Sequence, residues 1–222
     1  MLSSSLLSQP FNIDVFIDNV SLQQVEECKF LGIILDSKLK WKPQISVIIS
    51  RISKLTGIFF KLRNTITHEC LKQIYLSLVY PHLLYCISIW GGTFDTILDK
   101  LFISQKKLIR IMTFSHRYVH TDPLFRNLNL LKLHDIVSMQ AYFFVFKSLQ
   151  SQINNSYQYM SVDKNTRRPN DLKIPLCRTT HKQRFLTYRG AKLWNQLPNE
   201  IKSVKSFQMF KVKIKQFLFH SY

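Results

Sequence analysis

The sequence predicts a mostly α protein: a small N-terminal β-hairpin element, then a bundle of helices, then a basic C-terminal region. Three observations carry that expectation. Short β-branched and aromatic runs bounded by Asp, Asn and Ser occupy the first forty residues. From Pro43 the apolar residues recur at spacings of three and four. Beyond Ser161 the charge turns strongly basic.

Taken in order, Ile13-Asp14-Val15-Phe16-Ile17 and Phe30 to Leu35 read as strands flanking Asp18-Asn19-Val20-Ser21, a small antiparallel unit. The second run closes on Asp36-Ser37, as a buried strand entering a turn does. Lys38-Leu39-Lys40-Trp41-Lys42 comes next, alternating basic with large apolar side chains. After Pro43, Ile45, Ile48, Ile49, Ile52, Leu55, Phe59 and Leu62 share one helical face, with Ser46, Ser50, Ser53, Lys54 and Lys61 mainly opposite. A second helix starts after Thr67, a good N-cap with Glu69 in its first turn, and turns Leu71, Ile74, Tyr75 and Leu78 inward. Pro81 should kink or divide it, and Gly91-Gly92 should end the stretch beyond that proline. A third helix opens near Asp95 or Thr96 and buries Leu98, Leu101, Leu108 and Met112, with Lys106, Lys107 and Arg110 towards its end. Beyond the turn signal Thr121-Asp122-Pro123, a fourth runs from Leu133 to Leu149. These signals divide the chain into a β element (1–42), a helical domain (43–150), a polar connector (151–168) and a basic C-terminal segment (169–222).

With 222 residues, 46% of them apolar and only five Gly, the chain is composed to fold. Its 31 Lys and Arg outnumber 13 Asp and Glu, a formal charge of +18, and such self-repulsion is most simply explained by an anionic partner. Nucleic acid is the first candidate and an anionic membrane surface the second. Eleven of those excess charges lie between Ser161 and Tyr222. No run approaches the roughly 20 apolar residues of a membrane span. Cys28, Cys70, Cys86 and Cys177 have neither a C-x-x-C pair nor regular spacing, which argues against a disulfide framework or a zinc ribbon. The N-terminus, MLSSSLLSQPF, lacks the basic start of a secretory signal, so a nuclear or cytoplasmic protein is expected.

Catalytic chemistry finds little support in the residues. Metal-dependent polymerases and nucleases cluster carboxylates around their ions, and here there is no D-D pair and no E-x-x-H. Phe16-Ile17-Asp18-Asn19 has the outline of an aromatic-x-D-D turn without its second carboxylate, and a hairpin turn explains Asp-Asn as well. His116 and His120 have metal-ligand spacing but no third partner, and Ser115 beside His116 has no G-x-S-x-G around it. The basic tail is stronger: Arg178, Lys182, Arg184 and Arg189 can neutralise phosphates, and Tyr188 or Trp194 can stack on an unpaired base. An equally good reading packs Phe185, Trp194 and Leu197 into a small core and leaves the cations in water.

A family likeness rests on several stretches in a fixed order: KFLGIILDSKLKWKPQI, ISKLTGIFFKLR, YPHLLYCISIWG, QKKLIRIM, then RGAKLWNQLPNEIK and SFQMFK. From about Val25 to Phe219 the chain resembles the C-terminal part of reverse transcriptases of non-LTR retrotransposons, the jockey and related LINE groups. The resemblance implies that Phe30-Leu31-Gly32 belongs to the hairpin that grips the primer strand and that the helices after it form a thumb-like bundle. It makes Lys38, Lys40, Lys42, Lys54, Lys61 and Arg63 phosphate contacts, with Gly32 allowing close backbone approach.

In that family the palm, with its Tyr-x-Asp-Asp turn, precedes F-L-G, and 29 residues precede Phe30 here. No cofactor is therefore expected in this chain, and Mg2+ only together with a palm. Met1 is then expected to be an internal start or the product of a truncated copy. The implied partners are RNA and DNA as a primer–template hybrid, together with the remainder of a reverse transcriptase, and no membrane. The expected role is binding of primer and template without an active site of its own. The alternatives are a retained interaction or nucleic-acid-binding module and a decayed transposon copy.

Overall fold

The computed structural model describes residues 15–150 and 170–220. The expected strand residues Ile13 and Asp14 and the polar connector 151–168 lie outside the described residues.

Strands β1 (Phe16–Ile17) and β2 (Val20–Ser21) pair antiparallel around Asp18 and Asn19, whose φ angles of 48° and 61° are both positive. A two-residue turn of this kind matches the twist of its strands, and Asp and Asn tolerate the left-handed conformation. The Asp-Asn pair is thus a hairpin turn. Strands β3 (Glu27–Phe30) and β4 (Ile33–Asp36) form a second hairpin, with Phe30 opposite Ile33 and only Leu31 and Gly32 between. Their φ angles are 46° and 80°. This corrects the expectation of one strand from Phe30 to Leu35 paired with Ile13–Ile17: Gly32 supplies a turn inside the apolar run, and among the described residues each hairpin pairs only with itself.

Helix α1 (Lys42–Leu62) carries Pro43 in its first turn, where the missing N–H costs nothing. It buries Ile45, Ile48, Ile52 and Phe59 on the expected face, with Ile49, Leu55 and Leu62 packed at its margins. Gln44, also buried, accepts a hydrogen bond from the Ile34 N–H at 2.9 Å and so pins β4 to the helix.

Helix α2 (His68–Ile74) begins as expected, the Thr67 hydroxyl accepting from the Cys70 N–H at 3.3 Å. A single wide π turn, Tyr75–Val79, then leads into α3 (Tyr80–Leu84), with Pro81 in its first turn. Proline cannot donate to the carbonyl four residues back and its ring collides with it; widening the preceding turn relieves both. The burial pattern shifts accordingly: Leu71, Tyr75, Val79, Leu83 and Ile87 are buried, four residues apart, and Leu78 is 45% exposed. The inward placement of Leu78 is thereby corrected.

Helix α4 (Ile87–Trp90) ends at Gly91-Gly92, and α5 (Asp95–Met112) buries Leu98, Leu101, Leu108 and Met112 as expected, together with Gln105 and Ile109. The Gln105 amide donates to the Tyr75 hydroxyl (2.9 Å) and the Leu131 carbonyl (3.1 Å) and accepts from the Leu133 N–H (2.9 Å). Such a satisfied buried network joins three elements that would otherwise slide. The Thr121-Asp122-Pro123 turn opens a short helix, α6 (Asp122–Leu128), before α7 runs over the expected Leu133–Leu149.

The basic segment continues as α8 (Thr180–Gln183), α9 (Leu186–Gln196), α10 (Asn199–Lys202) and α11 (Phe207–Phe219). Helices α9 and α11 pack directly on α7. Phe210 stacks on Phe146 at 4.3 Å between centroids and leans on Trp194 at 5.8 Å. Trp194 and Leu197 are therefore core residues, and the stacking role offered for Trp194 is corrected; its Nε1–H donates to the Asn170 carbonyl at 3.1 Å. Asn195 holds Leu172 by two backbone hydrogen bonds, and buried Lys202 pairs with Asp171 at 2.7 Å.

Candidate nucleic-acid interface

The Leu31-Gly32 turn projects from the bundle with Phe30 and Leu31 exposed, Leu31 by 74%. Its backbone is anchored from the helices: the Tyr85 hydroxyl donates to the Leu31 carbonyl at 2.6 Å. A Cβ on Gly32 would meet nothing closer than the Tyr85 ring at 3.8 Å, so the positive φ of the turn, not crowding, is what calls for glycine there.

Asp36 organises the next segment. Its carboxylate accepts from the Lys40 N–H (2.8 Å) and the Trp41 N–H (2.7 Å), while Leu39 and Trp41 take φ angles of 47° and 62°. The tight arc drives Trp41 into the core and leaves Lys38, Lys40 and Lys42 exposed. Thr93 Oγ1 donates to the Lys40 carbonyl at 2.7 Å, tying the arc to the turn after α4.

Of the α1 cations, Lys54 and Lys61 are exposed. Arg63 is half-buried, its guanidinium 4.3 Å from the Phe60 centroid and 5.1 Å from that of Phe114. In the C-terminal segment Arg178 and Lys182 are exposed, whereas Arg184 lies over the Phe94 ring at 3.0 Å from its centroid. Burial lowers the Arg184 pKa, opposed by the Asp95 carboxylate. Arg189 is turned inward: Nη1 donates to the Gly91 carbonyl at 2.7 Å, and Nε and Nη2 are enclosed without a hydrogen-bond partner. Burial pushes its pKa down to about 10, with Asp95 again opposing. Arg189 thus acts as a strut beneath Gly91-Gly92.

The arc and the C-terminal segment meet. Leu39 and Trp41 from the arc, Ser88, Ile89 and Gly92 from α4 and its turn, and His181, Arg184, Phe185, Leu186 and Thr187 line one cleft of about 500 Å3. A Cβ on Gly92 would lie 2.5 Å from the Arg184 carbonyl, so this glycine is what lets the two backbones close. Of the residues expected to contact nucleic acid, Arg184 lines it; Phe30-Leu31-Gly32, Lys38, Lys40, Lys42, Lys54, Lys61, Arg63, Arg178, Lys182 and Arg189 do not. Sequence reasoning passed over Tyr85, Thr93, Ile89 and Gly92 as parts of this region; their contacts are tertiary and leave no local pattern.

The Mg2+ that the resemblance associates with a palm has no fitting ligand set here. Asp18 stands at an exposed turn beside Asn19, and among the described residues no three His, Cys, Asp or Glu side chains are placed to hold a metal ion. The Ser115 hydroxyl is paired with Thr113 Oγ1 at 2.9 Å. Cys28, Cys70, Cys86 and Cys177 are free thiols. Among the described residues no helix is long and apolar enough to cross a membrane.

The homologues of this chain are RNA-directed DNA polymerases of Drosophila transposons, which bears out the family resemblance. The RNA-directed DNA polymerase from mobile element jockey of Drosophila funebris is 29% identical over 125 residues, 54% of this chain and 14% of that protein. Its Drosophila melanogaster counterpart is 30% identical over 111 residues, 48% of this chain and 12% of that protein. A protein named as a probable RNA-directed DNA polymerase from transposon BS of Drosophila melanogaster is 27% identical over 133 residues, 58% of this chain and 15% of that protein. The chain thus spans only a small part of the length of the relatives it matches. No protein-family model matches it, and no solved structure does.

Proposed function

We propose that this chain holds primer–template nucleic acid, without regard to its sequence, in the course of RNA-directed DNA synthesis. The observation that carries the reading is the meeting of the Lys38–Lys42 arc with the His181–Phe185 segment at one cleft, on a chain of formal charge +18 whose homologues are RNA-directed DNA polymerases. In this reading Lys38, Lys40, Lys42, Lys54, Lys61, Arg178 and Lys182 neutralise phosphates, and Phe30-Leu31-Gly32 abuts the primer strand. Arg63 and Arg189 brace the surface from beneath, and Arg184 stands in the wall of the cleft.

The test is a titration of a DNA/RNA hybrid at increasing salt. Each phosphate neutralised releases counterions, steepening the fall of log K with log salt by roughly 0.7–0.9. Replacing Lys38, Lys40 and Lys42 together by Ala should weaken binding and flatten that slope by about 2–3. A salt-independent affinity would sink the reading.

A second reading has its own observation: Phe16, Ile17, Val20, Phe30 and Leu31 are exposed together on the two hairpins. Apolar surface of this kind marks a protein interface, here one that further reverse-transcriptase polypeptide would cover. Nucleic-acid affinity lost with no change in hairpin exposure on adding such polypeptide would count against it.

A further inference from the structure

We propose that the cleft between the Lys38–Lys42 arc and the α8–α9 segment receives an unpaired nucleobase, so that the surface holds single-stranded as well as paired nucleic acid. The inference rests on the nucleic-acid reading above and deepens it.

The cleft combines the two surfaces a nucleotide needs. Its walls are apolar and aromatic: Leu39, Trp41, Ile89, Phe185 and Leu186. Trp41 is 8% exposed and Phe185 47% exposed, so one aromatic is fixed in the core and the other lies at the surface, edge-on to the His181 ring at 5.3 Å between centroids. Its cations belong to the same two segments: Arg184 lines it, its guanidinium over the Phe94 ring, and the exposed Lys38 and Lys40 flank Leu39 in the chain. None of the lining residues is acidic. An apolar groove bordered this way complements an aromatic ring that carries a phosphate on each side. A purely apolar partner would gain nothing from the cations.

Size and polarity narrow the occupant further. About 500 Å3 lies within the range of small-ligand sites, roughly 300–1,000 Å3. A base within a duplex is stacked on both faces and cannot enter; an unpaired one can. The polar lining residues are Ser88, Thr187, His181 and Arg184, the last with its guanidinium over Phe94, so stacking outweighs edge recognition and any of the four bases should be accepted.

The experiment compares two labelled single strands of equal length by fluorescence anisotropy with the full chain: oligothymidine, and the same backbone with abasic sites. The expected result is about tenfold tighter binding of the base-bearing strand. Phe185→Ala and Leu39→Ser should remove that preference and leave the abasic affinity unchanged, with the circular dichroism spectrum confirming that each variant folds. Lys40→Ala should weaken both strands alike. Equal affinity of the native chain for the two strands, or a preference that survives Phe185→Ala, would overturn the base site and leave the nucleic-acid reading standing. Binding of neither strand nor of a DNA/RNA hybrid would overturn both. A dimer in sedimentation that Phe185→Ala dissociates would assign the cleft to a second copy of the chain instead.

Discussion

The Tyr85 hydroxyl reaches the Leu31 carbonyl across 54 positions of sequence and closes to 2.6 Å. Leu31 holds a left-handed φ of 46° in a non-glycine residue, a conformation that costs about 1 kcal/mol or more and persists where its surroundings enforce it. The bond is the visible enforcement. Tyr85→Phe should leave global stability almost unchanged and speed amide exchange across the β3–β4 tip by about fivefold, the equivalent of one net hydrogen bond of about 1 kcal/mol. Unaltered exchange at Gly32 and Ile33 would show that the turn stands without its anchor.

Asp36 supplies the second test. Its two oxygens satisfy the Lys40 and Trp41 N–H groups, in the manner of a helix cap placed one turn early. Asp36→Ala should cost about 1–3 kcal/mol, read as a lowered urea midpoint, and should reduce the affinity for a DNA/RNA hybrid beyond the effect of any single lysine. Full stability in the variant would mean that Trp41 burial alone sets the arc.

The Lys202–Asp171 pair is enclosed, the lysine side chain being 2% exposed. Asp171→Ala strands a buried ammonium and should cost about 3–5 kcal/mol in urea denaturation. Lys202→Met combined with Asp171→Leu should recover most of that loss, since an apolar pair of similar volume replaces both charges. Failure of the double variant to recover would show that the Lys202 bond to the Asn195 carbonyl is the larger contribution.

Alkaline stability should depend on buried tyrosines. Burial, reinforced by the Asp135 charge, pushes the Tyr142 pKa up to about 12 from an ordinary 10.0. Between those values the unfolded chain has released the proton and the folded one retains it, so stability is intact below pH 10 and falls as pH rises towards 12. Tyr142→Phe should lessen that fall by about 2 kcal/mol, and melting curves from pH 8 to 12 for both chains would measure it. Parallel curves would place the loss on Tyr75 or Tyr80, whose pKa values burial also raises.

In α1 a single helical period makes the sequence readable, and the helix buries the predicted Ile45, Ile48, Ile52 and Phe59; α7 spans the predicted Leu133–Leu149 although its apolar residues lie on several faces. Leu78 was misplaced because Pro81 exerts its effect on the turn before it, changing the period locally. The Leu31-Gly32 turn was hidden because isoleucine and leucine continue on its far side, masking the break that Gly32 makes. In the basic segment, composition alone could not separate Trp194, packed on Phe210, from Phe185, standing at the surface; helix phase against α7 decides it. Lys38, Lys40 and Lys42 were legible as cations. That Leu39 and Phe185 share a cleft was not, since only the closed fold brings them together.

The packing of α11 on α7 also bears on how the protein is made. Helix α7 is complete at Leu149, yet the aromatic residues that cover one of its sides, Phe207 and Phe210, are added only later. At roughly 5–20 residues per second, a nascent chain leaves the ribosome with Phe143 and Phe146 uncovered for several seconds. Translation that stops short of Phe207 leaves them uncovered for good, so premature termination there should yield a chaperone-bound or insoluble product, not a shortened working one.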